Sequence, residues 1–278
     1  MPTATPTQAT SATFDLEHHG GRQALRALVG EVLAAGNAAL RLQPQLGMQA
    51  CERKPDRSPV TEADRATEAR LRRHCQQHFP ASVFVGEEAG VSGLTTAPLA
   101  FVVDPIDGTR AFVRGMPGWS VLVGLLWHGQ PQVGIAYMPA YGELFVAVAG
   151  EGAFCNGRPL HVSQIDTLGA AALSHGALLQ FADADCTALL PALATATETQ
   201  RGFADFDSYR NLVLGRVDLV VDPGVKPWDI AAAAVIVQEA GGKLTDFFGK
   251  ARLDGGGALA SNGVLHPALV ELVRSTVG

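Results

Sequence analysis

Residues 101–112 read FVVDPIDGTRAF, and the interpretation of the whole chain starts from this stretch. The apolar residues 101–103 predict a short buried strand, and two aspartates, Asp104 and Asp107, follow it directly. Pro105 lies between them and stiffens the turn, so that both carboxylates can converge on one point. The segment therefore predicts an acidic site at the end of a strand.

Gly108 and Thr109 come next and open a turn whose backbone N–H groups can face an anion. Carboxylates beside such a hollow suit a hard cation that bridges to a phosphate. An ordinary turn rich in Asp is an equally good interpretation when this segment is taken by itself.

Acidic residues at three other strand or helix ends extend this pattern. VFVGEEAG (83–90) places Glu87 and Glu88 after a short apolar run, SPVTEAD (58–64) places Asp64 at a helix start, and KPWD places Asp229 at the start of a second helix. Each of these signals also has an ordinary explanation when taken alone. Adjacent glutamates are common on protein surfaces, and a carboxylate at the start of a helix interacts favourably with the helix dipole. The Ala-rich helix after Asp229 is apolar nearly all round, so that aspartate is predicted at a buried rim, where a charge needs a partner.

Hydrophobic periodicity and turn residues predict the rest of the organisation. The pattern indicates an antiparallel meander over residues 119–148 and a change to alternating strands and helices after Pro159. The other predicted elements are helices at 22–42, 61–77 and 228–240 and strands at 218–222, 243–245 and 258–260.

Composition excludes several classes of partner. The net charge is −6 and no basic run is present, which argues against nucleic-acid binding. No apolar run approaches the roughly 20 residues that span a bilayer. The four widely spaced cysteines form no CxxC pair, which favours a reducing cytoplasm over a disulfide framework or a zinc cluster.

Four strings together resemble one family, the inositol monophosphatase-like phosphatases. They are VTEAD (60–64), GEE (86–88), DPIDGT (104–109) and WDIAAAAVIVQEAGG (228–242), in the family's order and spread over most of the chain. The resemblance implies a mixed α and β protein with an α/β/α/β/α layered sandwich. It also implies a Mg²⁺-dependent phosphatase that acts on small phosphate monoesters, usually as a homodimer.

The resemblance also implies a role for each matched residue. Glu87, Asp104 and the carbonyl of Ile106 would hold a first Mg²⁺, and Asp104, Asp107 and Asp229 a second, with a third, weaker ion near Glu87. Mn²⁺ would substitute, since an all-oxygen ligand set favours Mg²⁺ or Mn²⁺ over zinc. Gly108 and Thr109 would bind phosphate through their backbone N–H groups. Thr109, supported by Asp64 and with Glu88 nearby, would orient the attacking water.

The substrate is open at this point. Asp222 occupies the position before WD at which inositol-specific members typically have Glu, and FADFDSY (203–209) adds the acids Asp205 and Asp207. Such acids would suit a substrate ammonium or imidazolium, and these segments are similar to the histidinol-phosphatase branch of the family. Histidinol phosphate is the leading interpretation, with inositol 1-phosphate or a sugar phosphate as the alternative. Asp205 and Asp207 as solvated loop acids, and a non-catalytic binding protein with the same fold, also stay open.

Three regions of the chain are predicted to differ in character. Residues 1–13 form a disordered tail, residues 14–158 an N-terminal half with most metal ligands, and residues 159–278 a C-terminal half with Asp229 and the substrate pocket. Residues 43–57 are polar and interrupted by prolines, and they are the candidate for a mobile loop beside the site.

Overall fold

The computed structural model describes residues 14–43, 51–54 and 59–277. The predicted tail at 1–13 and most of the predicted mobile loop at 43–57 lie outside the described residues. The helices are α1 (Gly21–Leu42), α2 (Glu62–His78), α3 (Thr109–Phe112), α4 (Leu178–Asp183), α5 (Leu189–Ala196), α6 (Asp205–Val213), α7 (Pro227–Glu239) and α8 (His266–Val277). The strands are β1 (Glu52–Arg53), β2 (Pro59–Val60), β3 (Val83–Gly86), β4 (Gly90–Gly93), β5 (Leu99–Asp107), β6 (Ser120–Trp127), β7 (Gln130–Met138), β8 (Glu143–Val148), β9 (Gly152–Cys155), β10 (Arg158–Pro159), β11 (Ala172–His175), β12 (Thr199–Arg201), β13 (Leu219–Pro223), β14 (Lys243–Thr245) and β15 (Gly257–Ser261).

Strands β3 to β10 form an eight-stranded sheet in the order β10-β9-β8-β7-β6-β5-β3-β4. Its centre, β6 to β8, is the antiparallel meander that the alternating pattern predicts. Strands β3 and β5 are parallel neighbours, so their carboxyl ends meet at one edge of the sheet. The predicted strand at 101–103 is longer than expected, because β5 continues through both aspartates.

The second sheet has five strands in the order β12-β11-β13-β15-β14. Three of its strands lie where the sequence predicts them: β13, β14 and β15. Strand β13 is parallel to β11 and antiparallel to β15, which makes this sheet mixed. Its carboxyl end carries Asp222 toward the layer between the two sheets.

Helices and sheets alternate in five layers. Helices α1 and α2 pack on one face of the large sheet, α6 and α7 lie between the two sheets, and α5 and α8 pack on the outer face of the small sheet. The α/β/α/β/α sandwich is therefore confirmed. Both sheets contact the middle helices, and the division of the chain at residue 158 stays a prediction. No helix in the described ranges is both long and apolar enough to cross a bilayer.

Helix α7 lies unusually close to the large sheet. A Cβ atom on Gly124 of β6 would stand 2.6 Å from the Ala231 Cβ. A Cβ atom on Gly134 of β7 would overlap the Ala232 carbonyl oxygen. Small residues on both surfaces permit this approach, which explains the Ala-rich sequence of the helix. The close contact fixes the N-terminus of α7, and hence Asp229, beside the end of β5.

Candidate active site

Asp104 and Asp107 are buried at the end of β5. The pairing of β5 with β6 shifts register between them, which interrupts the alternation of side chains along the strand. Asp104 Oδ1 accepts a hydrogen bond of 3.0 Å from the Ile106 N–H. Asp107 Oδ2 accepts from the Ser120 hydroxyl at 3.0 Å and from the Phe206 N–H at 2.7 Å. Backbone and side-chain donors thus hold one oxygen of each carboxylate.

Glu87 and Asp229 arrive at the same place from two other elements. Glu87 directly follows β3, and its N–H donates to the Val103 carbonyl of the neighbouring strand at 3.2 Å. Asp229 lies in the first turn of α7, where its Oδ2 accepts from the Lys226 N–H at 2.7 Å. Together with Asp104 and Asp107, these acids line one cavity of about 120 Å³.

The acidic cluster is electrostatically costly without a cation. Burial raises the pKa of Asp229 to about 7, and it raises the pKa values of Asp104 and Asp107 well above their ordinary range. The neighbouring carboxylates add to the increase at Asp104 and Asp107. A hard cation would remove this cost, because oxygen ligands of this kind are the ones that Mg²⁺ prefers.

The side chains around the cavity meet a lysine rather than a metal ion. Across residues 14–43, 51–54 and 59–277, no group of three or more His, Cys, Asp or Glu side chains is arranged to hold a metal ion. Lys54 instead compensates part of the charge, with its Nζ 2.7 Å from Glu87 Oε1 and 2.6 Å from Glu88 Oε1. Lys54 therefore supplies a positive charge beside two of the clustered acids.

Sequence reasoning missed Lys54, which lies within the predicted mobile loop, just after β1. A lysine in a polar loop carries no sequence signal for a catalytic site, and only the fold brings it to Glu87. Glu88 contacts Lys54 but is not among the residues that line the cavity beside Glu87. Burial raises the pKa of Glu88 to about 7. Its predicted catalytic role stays a prediction.

Thr109 and Asp64 are brought together as predicted. The Thr109 hydroxyl oxygen lies 3.1 Å from Asp64 Oδ1 and 2.9 Å from the Ile106 carbonyl oxygen. Asp64 Oδ2 accepts from the Thr61 N–H and hydroxyl at 2.8 and 2.6 Å, which closes the capping box of α2. Asp64 therefore caps its helix with one oxygen and holds Thr109 with the other.

Asp205 and Asp222 lie on the other side of the same cavity. Asp205 has φ +48° at the start of α6, and its Oδ2 lies 3.0 Å from the position of a Cβ on Gly108. Because Gly108 itself has φ +83°, a larger residue there would be strained and would also meet Asp205. Asp222 is buried and accepts a hydrogen bond of 3.3 Å from the Tyr209 hydroxyl. Burial raises the pKa of Asp205 to about 6 and that of Asp222 well above its usual value.

Asp207 does not line this cavity and is not exposed to solvent. The predictions of Asp207 as a pocket acid and as a solvated loop acid are therefore both wrong. It is buried on α6 and pairs with Arg210 Nη1 at 3.2 Å. Arg210 also binds both Glu143 oxygens, at 2.5 and 3.0 Å, and lies over the Tyr141 ring. Helical spacing explains the difference, since residues two apart on a helix face different directions.

A larger cavity, of about 910 Å³, lies between α7 and strands of both sheets and is lined by Leu126, Val235 and Lys243 among others. None of the predicted site residues lines it. The smaller acidic cavity, not the larger one, is therefore the candidate active site.

Comparisons with known proteins agree with this geometry. The family model described as "Inositol monophosphatase family" matches residues 22–277. The histidinol-phosphatase of Mycobacterium tuberculosis is 40% identical over 80% of this chain and 87% of its own length. The histidinol-phosphatase of Streptomyces coelicolor is 39% identical over 79% of this chain and 85% of its own length. The solved inositol monophosphatase from Anabaena (Nostoc) superposes with a TM-score of 0.77 at 30% identity, covering 91% of this chain and 97% of that one.

Proposed function

The chain belongs to the inositol monophosphatase family and is a phosphoric monoester hydrolase, and from this premise we propose that it releases phosphate from histidinol phosphate in a Mg²⁺-dependent reaction. The observation that carries the substrate is the pair Asp205 and Asp222 in the acidic cavity. Two relatives named histidinol-phosphatase, 40% and 39% identical to this chain, support the same choice.

The donor set fits Mg²⁺. Every side chain proposed as a ligand offers oxygen, and the buried like charges at Asp104, Asp107 and Asp229 favour a cation at this point. We assign the ligands as Glu87, Asp104, the Ile106 carbonyl, Asp107 and Asp229, for two or three ions, with Mn²⁺ as a substitute. When bound, the ions would neutralise phosphate charge and acidify water at the site.

The chain's own residues supply positioning. The Gly108 and Thr109 N–H groups would bind the phosphate oxygens at the end of β5. The Thr109 hydroxyl, held at 3.1 Å by Asp64, would orient the water that attacks phosphorus. Within the part of the chain that the structure describes, the cavity lining has no cysteine or histidine for a covalent intermediate, and the proposed reaction is a direct displacement by water.

The part of the substrate beyond the phosphate would meet the second group of acids. Histidinol phosphate carries an ammonium and an imidazole, and a carboxylate at Asp205 or Asp222 would bind such groups by charge-assisted hydrogen bonds. Inositol 1-phosphate, the alternative, offers only neutral hydroxyl groups. Two buried acids beside a neutral polyol would receive less compensation for their loss of water.

Phosphate release from histidinol phosphate and from inositol 1-phosphate, measured side by side with Mg²⁺ and with EDTA, tests this proposal. We expect a Mg²⁺-dependent preference for histidinol phosphate of about tenfold or more in kcat/KM, equal to about 1.4 kcal/mol. A preference for inositol 1-phosphate would replace the substrate assignment. Equal rates with Mg²⁺ and with EDTA would reject the metal assignment.

Two further properties are part of the proposal. A homodimer is expected, as the family resemblance implies, and sedimentation equilibrium would distinguish it from a monomer. A cytoplasmic location is expected from the cysteine usage of the chain.

A further inference from the structure

The side chain of Gln180 lines the acidic cavity and bonds to the backbone beside it. It lies in α4, and its Oε1 accepts a hydrogen bond of 2.6 Å from the Ala177 N–H. A backbone N–H can only donate, so the atom that faces it must be the amide oxygen. The Nε2 group therefore points the other way. Among the described residues it donates to no acceptor.

Packing holds this side chain next to Asp222. A Cβ atom on Gly176 would stand 2.7 Å from Gln180 Oε1 and in direct overlap with Asp222 Oδ1, so both side chains converge over that glycine. On its other side, Gln180 Cβ and Cγ each lie 3.9 Å from the Cβ position of Gly224. Both glycines therefore make room for the Gln180 side chain.

Gln180 differs from the other polar side chains of the cavity in what it offers a ligand. The carboxylates there accept hydrogen bonds. The two hydroxyl groups already face acceptors, Tyr209 at Asp222 and Thr109 at Asp64. Among the described residues, the Gln180 Nε2 group is thus an uncommitted side-chain donor on a residue that lines the same cavity as the acceptor Asp222.

We propose that Gln180 and Asp222 form the subsite for a neutral imidazole ring of the substrate. One ring nitrogen carries a hydrogen that Asp222 accepts, and the other has a lone pair to which Gln180 Nε2 donates. A neutral imidazole offers this combination of one donor and one acceptor. Asp205 then remains for the substrate ammonium. The inference rests on histidinol phosphate as the proposed substrate and adds the residue that selects its ring.

Two substitutions at Gln180 separate the donor from the turn that it stabilises. Gln180→Glu keeps an oxygen for the Ala177 N–H but replaces the donor by an acceptor, and Gln180→Leu removes both. Gln77→Leu, on the exposed face of α2, is the matched control. The substrates are histidinol phosphate, phosphoethanolamine, which has an ammonium but no ring, and 4-nitrophenyl phosphate. The assays are run near pH 8, above the ordinary imidazole pKa of about 6.5.

Both variants are expected to raise KM for histidinol phosphate by about tenfold, the effect of one lost hydrogen bond to a buried group. For Gln180→Leu, which adds no charge to the acidic cavity, kcat on that substrate and both constants on the other two substrates should stay within about twofold of the wild type. An unchanged KM in both variants, or an equal loss on all three substrates, would overturn the subsite. Failure of the wild type to cleave histidinol phosphate would instead reject the proposed function, together with the inference that rests on it.

Discussion

The hydroxyl oxygen of Thr109 lies 3.1 Å from Asp64 Oδ1, although 45 residues separate the two in sequence. This contact joins the end of β5 to the first turn of α2. Because the other Asp64 oxygen is held by Thr61, the carboxylate cannot turn away without breaking the helix cap. The position of the Thr109 hydroxyl is therefore tied to the capping of α2 as well as to the Ile106 carbonyl.

Replacement of Thr109 tests whether that hydroxyl positions water. We expect Thr109→Ala to lower kcat by about 10²-fold, the usual cost of losing one group that is aligned on the reaction. KM should change little. Thr109→Ser keeps a hydroxyl at the same place and should retain most of the activity. Equal losses in the two variants would show that the methyl group, and not the hydroxyl, is what matters.

Asp104→Asn is expected to abolish turnover, since Asp104 is proposed to contact both ions. In EDTA the same variant should unfold at a temperature equal to or above that of the wild type, because it removes a buried carboxyl group whose charged form is costly beside other acids. Phosphate release and thermal unfolding of the same preparation are the two measurements. Near-normal rates would reject the ligand assignment, and a large drop in unfolding temperature would show that the carboxylate is needed for folding.

Metal-free stability should decrease as the pH rises. The folded chain raises the pKa of Asp205 to about 6 and of Asp229 to about 7, from the ordinary value of 3.8. These groups therefore bind protons more tightly in the folded state, and the stability they contribute is fully present below about pH 4 and is lost as the pH passes about 7.

Thermal unfolding in EDTA, at several values between about pH 5 and about pH 8, measures this effect. Excess Mg²⁺ should flatten or reverse the trend, because metal ligands must be deprotonated. A metal-free unfolding temperature that rises over the same interval would contradict the raised pKa values.

The sequence predicts the main elements of the fold because its signals are local. The Ala-rich α7 and the meander β6–β8 are periodic, and the acids at strand and helix ends carry positional meaning. Lys54 and Gln180 could not be predicted, since only the fold brings Lys54 to Glu87 and Gln180 to the cavity, and neither has a local pattern. Asp205 lines the cavity and Asp207 does not, and this difference depends on where α6 begins. No residue in FADFDSY marks that start clearly.

Because Asp205 lines the cavity and Asp207 does not, variants of the two acids serve as controls for each other. Asp205→Ala should raise KM for histidinol phosphate several-fold but not for inositol 1-phosphate, because Asp205 faces the cavity and is proposed to bind the ammonium. Asp207→Ala should leave both KM values unchanged and lower the stability, because Arg210 would lose one of its buried partners. The loss of stability is expected at about 1–3 kcal/mol, less than for a charge left wholly unpaired, since Arg210 keeps both bonds to Glu143.

Steady-state kinetics on both substrates and denaturant unfolding of both variants distinguish the two roles. If Asp207→Ala changed KM for histidinol phosphate as strongly as Asp205→Ala, the acids would act on the pocket together, and the ammonium could not be assigned to Asp205 alone.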